Sequence, residues 1–474
     1  MQGELEDKAK EACESKKQPA PGREFWESEQ TKPVWALASN EASEYFKSAG
    51  NEYLNKCMEH PYLPQTQIQD QQLERIRELV ELAYTHIAVY RDKYQAAGFS
   101  PQDLRGYDDI QKIPVITKEE LIKAFPDRCI NPNYDMNMLF PTRSSGSSGQ
   151  TLLIRVDEDA ILTDTIQGIR QFALQSNRQY RADHMLVHVY TVPWWFSSVE
   201  GRYPSSFISN VIPPDRVAQH IRELKPHILS CYPTNLEALL PYADSFKQDL
   251  YLAVTHSEAS SRTSRKVWAE RLGCPVLDEY SSEEATRIAL ELPCGHYHVC
   301  EDSVHLDILN PQTLKPQKRG ESGLVVVTNL LNSAMPFIRY VQGDAATAPA
   351  EKEACTIKWS QIARIDGRMN DAFINKFGRK IPAGSLLDVT YRWMFDQDLH
   401  LSYFEITQKQ FDRIEARVAL GEATPEHKVK SSAAHLGELL AMCLEHPVNI
   451  SVEVVPPSAL SSKKRRPIRC DIQK

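Results

Sequence analysis

The run Thr142-Arg143-Ser144-Ser145-Gly146-Ser147-Ser148-Gly149-Gln150-Thr151 is built from small and hydroxyl-bearing residues. Glycine lets the backbone approach a ligand closely, and successive N–H groups can surround phosphate oxygens. Serine hydroxyls add donors without bulk. The run lacks the Gly-Lys-Ser/Thr ending of a Walker A loop. Taken alone it fits a flexible linker equally well. A second segment, Tyr280-Ser281-Ser282-Glu283-Glu284, offers a ring that can stack on a base and carboxylates suited to Mg2+. By itself a solvated acidic turn is the simpler account. Gly343-Asp344 follows a strand-like run, and an Asp there can accept from both ribose hydroxyls; otherwise Gly-Asp is a turn. Near the chain end, Ser461-Ser462-Lys463-Lys464-Arg465-Arg466 supplies ammonium groups able to neutralise charge building on phosphate and carboxylate oxygens. In isolation that cluster is a solvated tail or a nuclear-localisation-like patch.

These segments need a scaffold. From Asp183 to Ser281 short apolar strands alternate with amphipathic helices. Strands are expected at Met185–Thr191, His227–Cys231, Leu250–Val254 and Pro275–Leu277, with helices over Arg216–Leu224, Asn235–Ala243 and Ser264–Leu272. Such alternation favours an α/β layer with a largely parallel sheet. In open α/β sheets ligands sit beyond the carboxyl ends of the strands, which is where Tyr280–Glu284 falls. Upstream, Leu73, Ile76, Val80, Ala83 and Ile87 recur at helical spacing and predict one long helix from Ile68 to about Ala97. Thr117 with Glu120 three residues on predicts a capping box and a helix start. Strands are expected at Val304–Leu309 and Gly323–Asn329. A composition shift near Gly367-Arg368 opens a stretch of roughly one hundred residues. It has helices at Gly384–Phe395 and Ala433–Glu445, and strands at Arg413–Val418 and Ile450–Val455. The domains expected are a mobile tail at 1–24, a large α/β domain at 25–366 and a small α+β domain at 367–474.

The order of the motifs resembles that of adenylate-forming enzymes, specifically the phenylacetate–coenzyme A ligase branch. The Ser/Thr/Gly loop of that family resembles Ser144–Gly149, its Tyr-Gly-x-Ser-Glu turn resembles Tyr280–Glu284, and its Arg-Tyr-x-x-Gly-Asp stretch resembles Arg339–Asp344. Its Gly-Arg-x-x-Asp boundary resembles Gly367–Asp371, and its closing Gly-Lys-x-x-Arg resembles Ser462–Arg466. Pro114-Val115-Ile116-Thr117-Lys118 and His298 through Glu301-Asp302 resemble features of the branch. The resemblance spans about residues 70 to 474.

It implies a large N-terminal adenylate-forming domain with layered α/β sheets and a small mobile α+β C-terminal domain. It also implies ATP-dependent activation of an aromatic or small carboxylic acid as acyl-AMP, followed by transfer to CoA. Ser144, Ser145, Gly146, Ser147, Ser148 and Gly149 would cradle the ATP phosphates. Glu258-Ala259 would lie along adenine and Tyr280 would stack on it. Glu284 would help bind Mg2+, Asp344 would hold the ribose, and Arg368 would assist near the nucleotide. Lys463 would bridge the substrate carboxylate and the α-phosphate, with Lys464 as its fallback. Departures are Gln150 for the usual loop lysine, Ser281 for glycine, Val341 for an arginine, Asn370 for an acidic hinge residue and Ser462 for glycine. They keep open an amine or carrier protein as the acyl acceptor. A catalytically silent nucleotide-binding scaffold is the rival of another class, and the presence of Glu284, Asp344 and Lys463 argues against it.

Some members of the family resemble zinc proteins. Cys294, His298 and Cys355 supply three ligands here, and a closed structural site wants four. Cys300 or His296 is the candidate to complete it, against the plain alternative of free thiols and surface histidines. Trp194-Trp195-Phe196 and Tyr203 are candidates for an acyl-pocket wall, or for core packing.

Composition sets outer limits. A net charge of −8 gives no broad positive field for nucleic acid. No apolar run reaches membrane-spanning length. The ten cysteines are irregularly spaced behind a polar, charged N-terminus, which points to a reducing cytoplasm. The partners expected are a small carboxylic acid, ATP, and CoA or another acyl acceptor, with a homodimer as a further candidate; neither nucleic acid nor a membrane is expected.

Overall fold

The computed structural model describes residues 51–472, except 145–151, 191–201, 211, 369–371, 379, 382, 400, 422–423, 457–458 and 460–466. The expected tail at 1–24 lies outside the described residues.

The chain opens with helices α1 (Asn51–Glu59), α2 (Gln65–His86), α3 (Ala88–Ala96) and α4 (Lys118–Ala124). The single helix expected from Ile68 to Ala97 is therefore two. Ile87 between them is extended, at φ −112 and ψ 110. The break turns α3 so that Ile87 and Tyr90 both enter the core, and the Tyr90 hydroxyl donates to the Pro336 carbonyl at 2.7 Å. Apolar periodicity registers which residues are buried, and this kink leaves that pattern intact. The capping box is present: the Thr117 N–H donates to Glu120 Oε2 at 2.8 Å, and Thr117 Oγ1 accepts from the Glu120 N–H.

A hairpin of β1 (Phe140–Arg143) and β2 (Leu153–Val156) brackets the Ser/Gly run. Next come α5 (Glu158–Gln175), β3 (Leu186–Tyr190), β4 (Ser205–Ser209), α6 (Pro214–Leu224), β5 (Ile228–Cys231), α7 (Pro233–Leu239), β6 (Leu252–His256), α8 (Arg262–Leu272), β7 (Val276–Ser282), β8 (Thr286–Glu291) and β9 (Tyr297–Val299). With β13 (Gln361–Ile362) the strands form an eight-stranded sheet in the order β13-β9-β8-β7-β6-β5-β3-β4. The run from β4 to β7 is parallel, as the alternation predicts, and β7 to β13 is antiparallel. Strands such as Leu252–His256 are buried along their whole length, as expected of a parallel sheet covered on both faces. Helices α6, α7 and α8 pack on one face, and α5 on the other. The helix expected over Asn235–Ala243 stops at Leu239 and continues as a 3-10 turn, because Pro241 has no N–H to give the α-helical ladder.

Between β9 and β13, β10 (Val304–Leu309), β11 (Ser322–Asn329) and β12 (Tyr340–Thr347) join the later β14 (Arg364–Arg368) in an antiparallel sheet. A core of α2, α3 and strands of both sheets fills the space between them. Ile116, just before α4, pairs with Tyr340 of β12: its N–H donates to the Arg339 carbonyl at 3.0 Å, and its carbonyl accepts from the Val341 N–H at 2.9 Å.

The C-terminal part contains β15 (Phe373–Ile374), β16 (Lys380–Ile381), α9 (Ala383–Asp396), β17 (Leu401–Gln410), β18 (Arg413–Leu420), α10 (Glu426–Ser431), α11 (Ala433–Leu444), β19 (Asn449–Val454) and β20 (Ile468–Cys470). Its sheet runs β19-β18-β17-β20. Its core cluster draws only on residues from Phe373 onward, among them Leu386, Trp393, Ile406 and Leu440. No described helix is long and apolar enough to cross a membrane.

Candidate active site

Three of the four central motifs are joined by hydrogen bonds. Thr142 Oγ1, on the strand leading into the Ser/Gly run, donates to Glu283 Oε2 at 2.6 Å. The Tyr280 hydroxyl donates to Asp344 Oδ2 at 2.8 Å. The Tyr340 hydroxyl donates to Glu284 Oε1 at 3.1 Å, and Gln342 Nε2 donates to Ser282 Oγ at 2.8 Å. Ser144, Glu283, Glu284, Tyr280 and Asp344 therefore belong to one surface. It lies beyond the carboxyl end of β7, where an open α/β sheet binds ligands.

Ser144 is buried, and its hydroxyl accepts from the Leu152 N–H at 3.0 Å while its own N–H donates to the Leu152 carbonyl. It closes the base of the loop. Ser145, Gly146, Ser147, Ser148 and Gly149 lie outside the described residues. So do Lys463 and Lys464, as well as Trp194, Trp195 and Phe196. Arg368 is described by its backbone, which pairs with Asp344 across β12 and β14. That register brings two expected nucleotide residues side by side.

Glu284 is buried, and burial raises its carboxyl above the usual range. The Tyr340 hydroxyl and the charge of Lys118 act in the opposite direction. Lys118 begins α4 and is brought to the site by the Ile116–Tyr340 pairing. In the sequence it is visible only as the residue after a helix cap; nothing local links it to a glutamate far downstream.

Glu258 sits on the loop after β6, whose last residue, His256, pairs with Glu279 in the middle of β7. Its Oε2 accepts from Thr234 Oγ1 at 2.8 Å and from the Thr234 N–H at 3.2 Å, capping the first turn of α7. The adjoining Ser257 has φ +66 and Ala259 is exposed. The loop is anchored from below. Ser260 and Thr255 both donate to Asp278 Oδ1, Tyr297 donates to Asp278 Oδ2, and Arg265 holds Ser260 while paired with Glu291.

At the carboxyl ends of β3, β5 and β6, the rings of Tyr190, Tyr232 and His256 pack with centroids 4.9, 5.2 and 5.5 Å apart. This aromatic group is at the ligand edge and did not emerge from sequence patterns, since the three residues are far apart in the chain. Tyr203 takes the second of its two expected roles, core packing. It precedes β4 at the opposite, amino-terminal edge of the sheet and packs on Tyr180 at 5.3 Å, so it serves the core.

Away from this edge, Cys294, His298 and Cys355 bring their ligand atoms within 4.8 Å of one another. His298 Nε2 is 3.4 Å from Cys294 Sγ and 3.6 Å from Cys355 Sγ. Burial lowers the imidazole pKa to about 4, keeping it neutral as a ligand must be. Cys300 is not in this group: it is buried in the cluster around Trp359. His296 Nε2 lies 2.6 Å from Glu353 Oε2.

No family profile matches the chain. Among curated proteins, phenylacetate–coenzyme A ligase of Escherichia coli is 26% identical over 327 residues, 65% of this chain and 72% of that protein. Its counterpart in Thermus thermophilus is 24% identical over 331 residues, 66% and 73% respectively. Among solved structures, 2-hydroxyisobutyryl-CoA ligase in the postadenylation state with its acyl-AMP superposes at a TM-score of 0.71, with 20% identity, covering 87% of this chain and 91% of that one. An anthranilate CoA ligase with anthranoyl-AMP gives a TM-score of 0.52 at 17% identity, over 66% and 63%. The fold is that of the adenylate-forming CoA ligases. Within that fold the chain is a sequence relative of the phenylacetate–coenzyme A ligases.

Proposed function

We propose that the chain is an AMP-forming acid–CoA ligase. It activates an aromatic or small carboxylic acid as acyl-AMP and passes the acyl group to CoA. The observation that carries this reading is the linking of three motifs beyond the carboxyl end of β7 by the hydrogen bonds of Thr142 to Glu283, Tyr280 to Asp344 and Tyr340 to Glu284.

A carboxylate is a poor electrophile because its leaving group would be oxide. Attack of its oxygen on the α-phosphorus of ATP makes a mixed anhydride and releases pyrophosphate. Asp344, pre-oriented by Tyr280, accepts from the ribose hydroxyls, and the Ser/Gly loop receives the phosphates. Lys118 and the C-terminal Lys463 supply positive charge where negative charge builds. The acid lies against Tyr190, Tyr232 and His256. Mg2+ bound with the nucleotide would favour the ionised form of Glu284, whose charge burial otherwise disfavours. The small domain, from residue 367, turns about its boundary to admit the thiol. Cys294, His298 and Cys355 would hold a structural zinc, and Glu353 or His296 beside them would be the candidate fourth ligand.

The test is ATP–pyrophosphate exchange over a panel of acids, with CoA thioester formation followed in parallel and both repeated with Lys463→Ala. Exchange is expected with at least one acid and is lost in the variant. No exchange with any acid would overturn the reading, and exchange without thioester would move the acceptor from CoA to an amine or carrier protein.

A further inference from the structure

Tyr391 lies on α9, in the C-terminal part, but its hydroxyl leaves that part and donates to Glu237 Oε1 of α7 at 2.8 Å. Its ring packs edge-on against Phe404 of β17 at 5.5 Å, so the side chain is held on its own side as well. Ser264, in the first turn of α8, and the carboxylate of Glu258 also face the phenol. Helices α8 and α9 are in contact. Tyr391 is thus wedged between the two helices that flank the loop carrying Glu258. Glu258 in turn is fixed to the first turn of α7 through both polar groups of Thr234. Glu237 stands three residues further along that short helix. The chain of contacts runs Tyr391, Glu237, α7, Thr234, Glu258.

We infer that Tyr391 is a positioning residue for acid activation, holding the Thr234–Glu258 clamp at the nucleotide edge while the C-terminal part is seated as it is here. The inference rests on the adenylation reading above. Loss of a hydrogen bond to an ionised group is worth roughly tenfold or more in a rate that depends on it. Acyl transfer to CoA, which follows once the small domain has turned away, does not use this contact.

The experiment compares the full-length protein with Tyr391→Phe, Glu237→Ala and the double variant. Hydrogen exchange of peptides covering 233–239 and 257–264 is expected to quicken about tenfold in each single variant. With an acid the wild type accepts, ATP–pyrophosphate exchange is expected to fall by about the same factor in kcat. Transfer from synthetic acyl-AMP to CoA stays unchanged. The double variant is no worse than either single one, because both remove the same bond. Equal loss in both half-reactions, additive losses, or unchanged hydrogen exchange would overturn the inference. If the wild type forms no adenylate from any acid, the ligase reading fails on its own. Hydrogen exchange still decides whether residue 391 orders the Glu258 loop.

Discussion

The Tyr280 hydroxyl donates to Asp344 Oδ2 at 2.8 Å, although the two residues lie 64 positions apart. The bond joins the end of β7 in the parallel sheet to β12 in the antiparallel one. It fixes the carboxylate in one orientation, so on the proposed reading nucleotide binding need not order it.

Asp344→Asn is therefore expected to raise the KM for ATP and lower adenylate formation about a hundredfold, since the carboxylate is lost as an acceptor. Tyr280→Phe keeps the carboxylate and removes only its tether, and about tenfold is expected. Initial rates of pyrophosphate exchange against ATP concentration measure both. Equal effects would mean that the tyrosine does more than orient Asp344.

Lys118 and Glu284 form a second test. Removing the ammonium leaves a buried carboxylate with less compensation and, on the proposed reading, the ATP phosphates with less positive charge. Lys118→Ala is expected to weaken ATP binding about tenfold in calorimetric titration, with Lys118→Arg restoring most of it. A loss of melting temperature with unchanged ATP affinity would confine Lys118 to a structural pair.

The Cys294–His298–Cys355 group predicts close to one zinc per chain in the purified protein. Cys294→Ser and Cys355→Ser should each deplete the metal and lower the melting temperature, and chelation of the wild type should do the same. Elemental analysis that finds the same trace metal in wild type and both variants would rule the site out.

His188, on β3, is buried, and burial lowers its pKa to about 3. The unfolded chain takes up that proton near the ordinary value of 6.5, so it binds more protons than the folded chain below that pH. The stability linked to His188 is complete above about pH 6.5 and declines as pH falls towards 3, at up to about 1.4 kcal/mol per pH unit. Urea denaturation between pH 7.5 and 5 should show a shallower pH dependence in His188→Gln. Parallel lines for the two proteins would show that the imidazole charges freely in the folded state.

The parallel layer was legible because fully buried strands such as Leu252–His256 are short apolar runs set between amphipathic helices. Val304–Leu309 appears at the residues expected. Strand β7 was harder. It runs on to Ser282, but the polar Asp278 and Glu279 end the apolar signal at Leu277. Asp278 is accommodated by Thr255 and Tyr297, a fact of tertiary structure that no local pattern holds. Helix α5 was not anticipated, since its buried face includes Asp164, Gln167, Arg170 and Gln171. Arg170 pairs with Asp302 and lies 4.8 Å from the Trp359 ring, and Arg287 pairs with Asp164. Buried polar residues of this kind look like surface in a sequence. In the site, the motif residues could be located along the chain, whereas Lys118, Tyr391 and the Tyr190–Tyr232–His256 group become neighbours only through folding.

The pairing of Ile116 with Tyr340 ties the first turn of α4 to the strand that carries Asp344. Displacing α4 would strain that bridge and pull on the phenol beside Glu284. A shortened chain starting after residue 116 would lose this bridge, and with it the backbone anchor that holds Lys118 near Glu284.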